Sequence, residues 1–445
     1  MEKIHNRYRN LKVELETGTH HLVIDGPAGS GKTTLIREFI KATRRKVIVT
    51  ATTGLAASHI NGFTIHSVFG FEPTLVIPDL IGYDRTVAKA LIQCDTILID
   101  EVSMLVCSTL DGIDRRLRAV RGIDRPFGGV RMIFVGDHCQ LGPVSREFER
   151  TFLEQLSENY RAPYFYFQSA VFGEKEFLSN LRMCVLDGNF RHQSDLQFKA
   201  TLDQLRHGIV TDFGLALINR RASDIFEASG PMICMTNRQV DSYNMVATLS
   251  SPNPKYTNFP EPLGVMTATD IAVREHPAIE PVILFEGAQV ICTANNKELG
   301  YQNGSRGVIT GIRLASKNYV SSIIVRLEQG PEVEITRHPF EVLRPFYNEI
   351  TDRIQTMKVL EILNFPVRLA YAFTCHKAQG MTLSSAIIDR ERGAPFKGQM
   401  YTAVSRVTSL NRLFLANELK AEDFKVEPAV GAFLVDMMTK IIPVA

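Results

Sequence analysis

Eight consecutive residues, Gly26-Pro27-Ala28-Gly29-Ser30-Gly31-Lys32-Thr33, fill every fixed position of G-x-x-x-x-G-K-[ST] and dictate the local fold on both sides. Upstream, His21-Leu22-Val23-Ile24-Asp25 is an apolar run of strand length; downstream, Leu35, Ile36, Phe39 and Ile40 recur with helical spacing, ending at Arg44, Arg45 and Lys46. The segment therefore reads strand, tight turn, helix. Residues without a Cβ let the turn backbone approach an anion, and its amides converge on that anion at the helix N-terminus. Such a loop holds the phosphates of a nucleoside triphosphate. Lys32 is placed to reach the β- and γ-phosphates and Thr33 to ligate Mg²⁺.

Similar apolar runs recur at Val47-Ile48-Val49-Thr50, Thr96-Ile97-Leu98-Ile99-Asp100 and Arg131-Met132-Ile133-Phe134-Val135, with helical segments between them. Uninterrupted apolar strands alternating with helices predict an α/β fold, a parallel sheet covered on both faces with its ligand at the carboxyl ends of the strands. Pro231-Met232-Ile233-Cys234-Met235, Ala288-Gln289-Val290-Ile291-Cys292, Ser385-Ala386-Ile387-Ile388-Asp389 and Leu413-Phe414-Leu415-Ala416 form a later set and predict a second α/β domain. Between about 304 and 345 the strands are short and broken by polar turns, the pattern of a small inserted β-barrel. Ser251 to Pro262 contains four prolines and reads as a surface loop.

With 445 residues the chain has room for about two to four domains. No apolar run approaches the roughly 18 residues of a membrane span, and Met1-Glu2-Lys3-Ile4-His5 does not begin a secretory signal, so a soluble intracellular protein is expected, without a membrane partner. The seven cysteines stand singly, without C-x-x-C pairs, and predict neither zinc nor disulfides. A net charge of +2 does not announce nucleic acid. Locally, six arginines (Arg115, Arg116, Arg118, Arg121, Arg125, Arg131) face three aspartates (Asp111, Asp114, Asp124). Composition leaves two readings of that stretch, a solvated helix face or a phosphate-contacting one.

The strand Thr96 to Ile99 delivers Asp100-Glu101 beside the phosphate loop. Hydrolysis needs two such acids, and we assign Asp100 to the metal and Glu101 to the attacking water. Gln140, after Val135-Gly136-Asp137, is placed to donate to the γ-phosphate. Lys32 and Mg²⁺ leave outer γ-oxygens open, so more positive charge is needed. The candidates are Arg191, in Asp187-Gly188-Asn189-Phe190-Arg191, and Arg406, in Ala403-Val404-Ser405-Arg406.

In this order the pieces resemble the PIF family of DNA helicases, in the RecD-like branch of superfamily one, from about Leu22 to Leu415. The resemblance rests also on Thr52-Thr53-Gly54-Leu55-Ala56-Ala57, Thr64-Ile65-His66-Ser67, Gly136-Asp137-His138-Cys139-Gln140-Leu141, Asn303-Gly304, His376-Lys377-Ala378-Gln379-Gly380-Met381-Thr382-Leu383, and the segment Leu110 to Gly129. It implies two RecA-like motor domains with an inserted Src-homology-like barrel: 1–175 as the first motor domain, with a wedge at about 70–83; 176–303 and 363–445 as the second; and 304–362 as the barrel and its connection. It implies ATP and Mg²⁺ as cofactors, with Thr34 and Gly380 joining the nucleotide site. Single-stranded DNA and duplex junctions are the implied partners, with Thr52, Thr64, His66, His376 and Lys377 near the strand and the arginine cluster close by.

The chain departs from the family pattern twice. Leu141 is followed by Gly142-Pro143 where the family usually has two prolines, which predicts a more mobile loop. The family reads adenine with an upstream glutamine, yet no glutamine precedes Gln93, and Asn6, near the expected position, offers the same amide one methylene shorter. The expected activity is an ATP-dependent 5′-to-3′ DNA helicase. The alternatives are a DNA-stimulated ATPase or translocase subunit of a recombination or repair complex, and a P-loop switch protein.

Overall fold

The computed structural model describes residues 8–444 except 73–75, 79–84, 145–146, 158–159, 223–229, 265–275, 329 and 392. Asn6, and residues 73–75 and 79–83 of the expected wedge, lie outside the described residues. A six-stranded sheet runs in the order Phe63–Thr64, Val47–Ala51, Thr96–Asp100, Arg131–Gly136, His21–Asp25, Leu181–Val185. Every pairing in it is parallel. Its central strands are buried along their whole length because helices cover both faces. On one face Leu35, Ile36 and Phe39 pack against Leu22 and Ile24; on the other, Leu110, Ile113 and Leu117 of the helix Cys107–Arg121 share a core with Ile97 and Phe134.

A second parallel sheet has the order Ala372–Thr374, Met232–Cys234, Ala386–Asp389, Leu413–Leu415. Phe198, Leu202 and Leu205 of the helix Leu196–Arg206 and Met400, Ala403 and Val404 of Gln399–Val404 pack on it. Two parallel-sheet bodies thus face each other, as the strand pattern predicts.

Several assignments change. Leu181–Val185 extends the first sheet beside His21–Asp25, so the first half runs past residue 175. Gln289–Cys292, expected in the second parallel sheet, pairs antiparallel with Arg306–Ser316 and Val367–Leu369. Val290, Ile291 and Cys292 are buried in succession, a pattern that looks the same in a parallel and in an antiparallel sheet. The inserted part spans Tyr256 to Leu369, wider than 304–362. Its hydrogen bonds form an open five-stranded antiparallel sheet and a ribbon of His338–Asn348, Arg353–Asn364 and Glu261–Leu263, with no closed ring among the described residues. The proline-rich Ser251 to Pro262 is not all loop. Tyr256–Asn258 pairs with Val282–Leu284, and Glu261–Leu263 is an edge strand, where Pro262 is tolerated.

The C-terminal segment leaves the second half and returns to the first. The Phe433 ring stacks on Phe167 at 4.3 Å, and Ile442 N donates to Met183 O at 2.9 Å. The seven cysteines are free and buried, and no helix among the described residues is long and apolar enough to cross a membrane.

Candidate nucleotide site and its comparison with known proteins

Asp25 ends a central strand, and the loop Gly26 to Gly31 leads into the helix Lys32–Ala42. Gly29 has φ +83°, and a Cβ there would lie 2.5 Å from Arg191 Cβ, so this position admits only glycine while Arg191 stays close. Lys32 Nζ donates to the carbonyls of Gly26 at 2.7 Å and Pro27 at 3.1 Å. Burial lowers the Lys32 pKa, against the pull of Asp137, Glu101 and Asp25. Thr33 and Thr34 are half-buried in the first helical turn.

Two strands from the loop, Asp100 is buried, and burial followed by the Glu101 charge pushes its carboxyl up to about 7. Such a group favours a neighbouring cation. Its Oδ1 accepts from Glu101 N at 2.9 Å. Glu101 has φ +52°, a left-handed conformation that costs a non-glycine residue energy and turns its carboxylate away from the strand line. Glu101 Oε2 accepts from Gln379 Nε2 at 3.0 Å, and a Cβ on Gly380 would lie 3.5 Å from Glu101 Oε1. The His376 to Leu383 segment of the second half therefore reaches the catalytic-acid candidate of the first.

Arg191 and Arg406 meet around Ser405. Arg191 Nη1 donates to Ser405 O at 2.9 Å, and Arg406 Nη2 to Ser405 Oγ at 2.8 Å. Burial, then the Arg406 charge, pulls Arg191 down to about 9, the mark of a cation short of a counter-anion. Arg406 is 1% exposed and also donates to Thr402 O at 2.8 Å. Gln140 is buried, its Nε2 donating to Asp137 Oδ2 at 2.9 Å.

The residues expected near DNA stand on separate elements of the fold. Thr52 Oγ1 donates to Glu101 O at 3.2 Å, which places it at the acid pair. Thr64 caps the helix Ile65–Phe69, accepting from Ser67 N, and His66 lies edge-on to Phe71. His376 is half-buried against Phe396, and Lys377 is exposed.

One expectation is corrected. The arginine cluster is largely engaged within the protein: Arg118 bridges Asp114, Asp124 and Glu174, Arg121 donates to the carbonyls of Leu91, Ile92, Cys94 and Gly128, Arg125 pairs with Glu176, and Arg131 binds the carbonyls of Glu14, Leu15 and His20. It staples a helix end and loops rather than offering a bare cationic face. The loop after Gln140 begins in close contact with its surroundings. A Cβ on Gly142 would lie 2.8 Å from the Phe165 ring, and Leu141 N donates to Thr402 Oγ1 at 3.2 Å.

Sequence reasoning assigned no role to Asp25, Asp137, Arg206 or Tyr401, which form a buried cluster under the phosphate loop. Arg206 Nη2 meets Asp25 Oδ2 at 2.6 Å and its Nε meets Asp137 Oδ1 at 2.9 Å. Two acids ending adjacent strands were the available signal, since such charges are buried only when paired.

The model of the PIF1-like helicases matches residues 6–208. Over 90% of its length the chain is 30% identical to the ATP-dependent DNA helicase Pif1 of Psychrobacter sp., and it spans 66% of that protein. The chain belongs to the PIF1-like helicase family. The solved structure of Bacteroides sp. Pif1 in complex with ADP-AlF4 is similar over 97% of this chain and 96% of that one, at 26% identity and a TM-score of 0.80. Bacteroides Pif1 bound to single-stranded DNA is similar over 98% of this chain and 97% of that one, at 26% identity and a TM-score of 0.69.

Proposed function

We propose that this PIF1-like chain is an ATP-dependent DNA helicase that translocates 5′-to-3′ on single-stranded DNA and unwinds duplex ahead of it. The observation that carries the reading is the convergence of two parallel-sheet bodies on one phosphate loop. The first supplies Lys32, Asp100, Glu101 and Gln140, and the second supplies Gln379 and Arg406, with Arg191 on the connection between them. A switch protein needs only the first body. A motor needs both, because hydrolysis at their junction converts chemistry into relative movement.

The residues fit a magnesium nucleotide. The loop amides and Lys32 suit the phosphates, Thr33 and the cation-seeking Asp100 would hold the metal, and the buried Arg191 guanidinium beside Arg406 suits an added anion. When bound, Mg²⁺ neutralises charge developing on the β- and γ-oxygens. Glu101 takes the proton of the attacking water, and Gln379 holds that carboxylate in place. Gln140 donates toward the γ-phosphate, while Arg191 and Arg406 stabilise charge on its outer oxygens. Thr64, His66, His376 and Lys377 contact phosphates of the DNA without reading bases, as a motor on arbitrary sequence requires.

Polarity tests the reading. In ATP and Mg²⁺ a duplex with a 5′ single-stranded tail is unwound, with activity falling steeply as salt rises, and the same duplex with only a 3′ tail stays intact. Preferential unwinding of the 3′-tailed substrate would overturn the assigned direction.

A further inference from the structure

Three of the four buried residues that sequence reasoning passed over, Asp137, Arg206 and Tyr401, meet at the Asp137 carboxylate. Asp137, 1% exposed, follows the strand Arg131–Gly136. Its Oδ2 accepts from Gln140 Nε2 at 2.9 Å and from Tyr401 Oη at 3.1 Å. Its Oδ1 accepts from Arg206 Nε at 2.9 Å and from Cys139 N at 3.3 Å. Gln140 and Cys139 belong to the first half, whereas Tyr401 and Arg206 stand on helices packed in the second. The Tyr401 hydroxyl also lies 3.5 Å from Ala28 N, an amide of the phosphate loop. One oxygen is thus shared between the candidate γ-phosphate sensor and a side chain from across the cleft.

We propose that Asp137 is a positioning residue that couples Gln140 to the second motor half through the Tyr401 hydroxyl. The proposal rests on the ATPase reading above and assigns that site its mechanical link. An amide nitrogen carries two hydrogens, so one can hold Asp137 while the other meets a phosphate oxygen. The direction of Gln140 is then set by the position of Asp137. Tyr401 and Arg206 set that position in turn, and they move with the second half. Opening the cleft draws Tyr401 from Asp137 Oδ2 and loosens the aim of Gln140; closing it restores both. Burial strengthens each step, because a shared acceptor in a dry site has no water to replace a lost donor. Burial and the Asp137 charge also raise the Tyr401 pKa, so its hydroxyl stays a donor.

Tyr401→Phe removes the hydroxyl and keeps the ring that packs in the interface. In steady-state ATPase assays with saturating single-stranded DNA, the substitution should lower kcat by on the order of ten- to a hundredfold, with KM for ATP within about twofold and thermal unfolding still a single cooperative transition. Gln140→Ala should lower kcat by a similar factor, and the double variant should fall no further than the worse single one, because both break one chain of contacts. An unchanged kcat in Tyr401→Phe, or fully additive losses in the double variant, would overturn the proposal while leaving the ATPase reading in place. Absence of DNA-stimulated hydrolysis in the unmodified protein would overturn the reading, and the proposal with it.

Discussion

At the nucleotide cleft the first half meets the second through Asp25, Asp137 and Arg206, each less than a tenth exposed. At the hairpin Asn348 to Arg353 the antiparallel insertion reaches the same first half through side chains that water surrounds. Lys46 pairs with Asp352 at 2.6 Å and lies 5.4 Å above the Tyr347 ring, and Lys89 pairs with Glu349. Asp352 and Glu349 are 65% and 67% exposed. The same chemistry has opposite consequences in the two places. Breaking a buried pair strands a charge in low dielectric, whereas breaking an exposed one returns both ions to water. The cleft contacts hold the halves in register, whereas loss of the exposed hairpin pairs costs little.

The comparison is tested most severely where the cleft does chemistry. Arg191→Ala and Arg406→Ala should each lower kcat by on the order of 10³-fold, with a smaller change in ATP affinity, since each cation acts on charge that develops during transfer. Lys89→Ala at the hairpin should leave the same kcat within about twofold. Equal losses in steady-state assays would mean that the hairpin is part of the catalytic assembly.

Stability gives the next contrast. Arg206→Met leaves Asp25 and Asp137 buried without their cation and should cost about 3–5 kcal/mol in denaturant unfolding. A cost below about 1 kcal/mol would show that water enters the junction.

Acid separates the junction from its surroundings. Burial opposes ionisation of Asp25, but Arg206 and the His138 contact outweigh it and hold the carboxyl well below the usual range. The stability Asp25 contributes is present above about pH 4 and is lost only as pH falls through its lower folded value. His21 behaves differently. Burial, then Arg131, pushes its imidazole down to about 4, and its Nδ1 accepts from Met132 N at 3.0 Å. Between about pH 6.5 and 4 the unfolded chain binds a proton that the folded chain refuses, so stability falls with pH across that window by up to about 3 kcal/mol. His21→Gln keeps an acceptor for Met132 N and should flatten this acid limb in urea titrations. A limb flattened instead by Asp25→Asn would place the titration in the junction.

What could be read from the chain follows the same division between local and distant. The phosphate loop was legible because Gly26 to Thr33 specify their own backbone, and Asp100-Glu101 because strand ends in parallel sheets point to one edge. The pairing of Asp25 with Arg206 spans 181 positions and leaves no local pattern. The strand Gln289–Cys292 misled because three apolar residues in a row look alike in either kind of sheet, and the return of Phe433 to Phe167 depends on tertiary packing alone. Composition left the arginine stretch with two readings, since a count of charges does not reveal that Glu174, Glu176 and backbone carbonyls already accept from Arg118, Arg125 and Arg121.

The smallest effect is expected at the hairpin tip. Glu349→Gln and Asp352→Asn each remove one exposed partner and keep the side-chain shape, so each should change stability by less than about 1 kcal/mol. Lys46 and Lys89 remain solvated when the pairs are gone, and no buried group is stranded. Salt should reproduce the substitutions, because screening at about 1 M shortens the Debye length to roughly 3 Å, near the contact distance of an ion pair. A fluorophore pair spanning the tip and the helix Arg85–Gln93, which packs along the strand His338–Asn348, would report the separation. Raising salt should increase the separated fraction in the unmodified protein and change little in the double variant, whose pairs are already absent. An equal salt response in both would mean that the apolar contact along the helix holds the hairpin, and that its ion pairs contribute nothing.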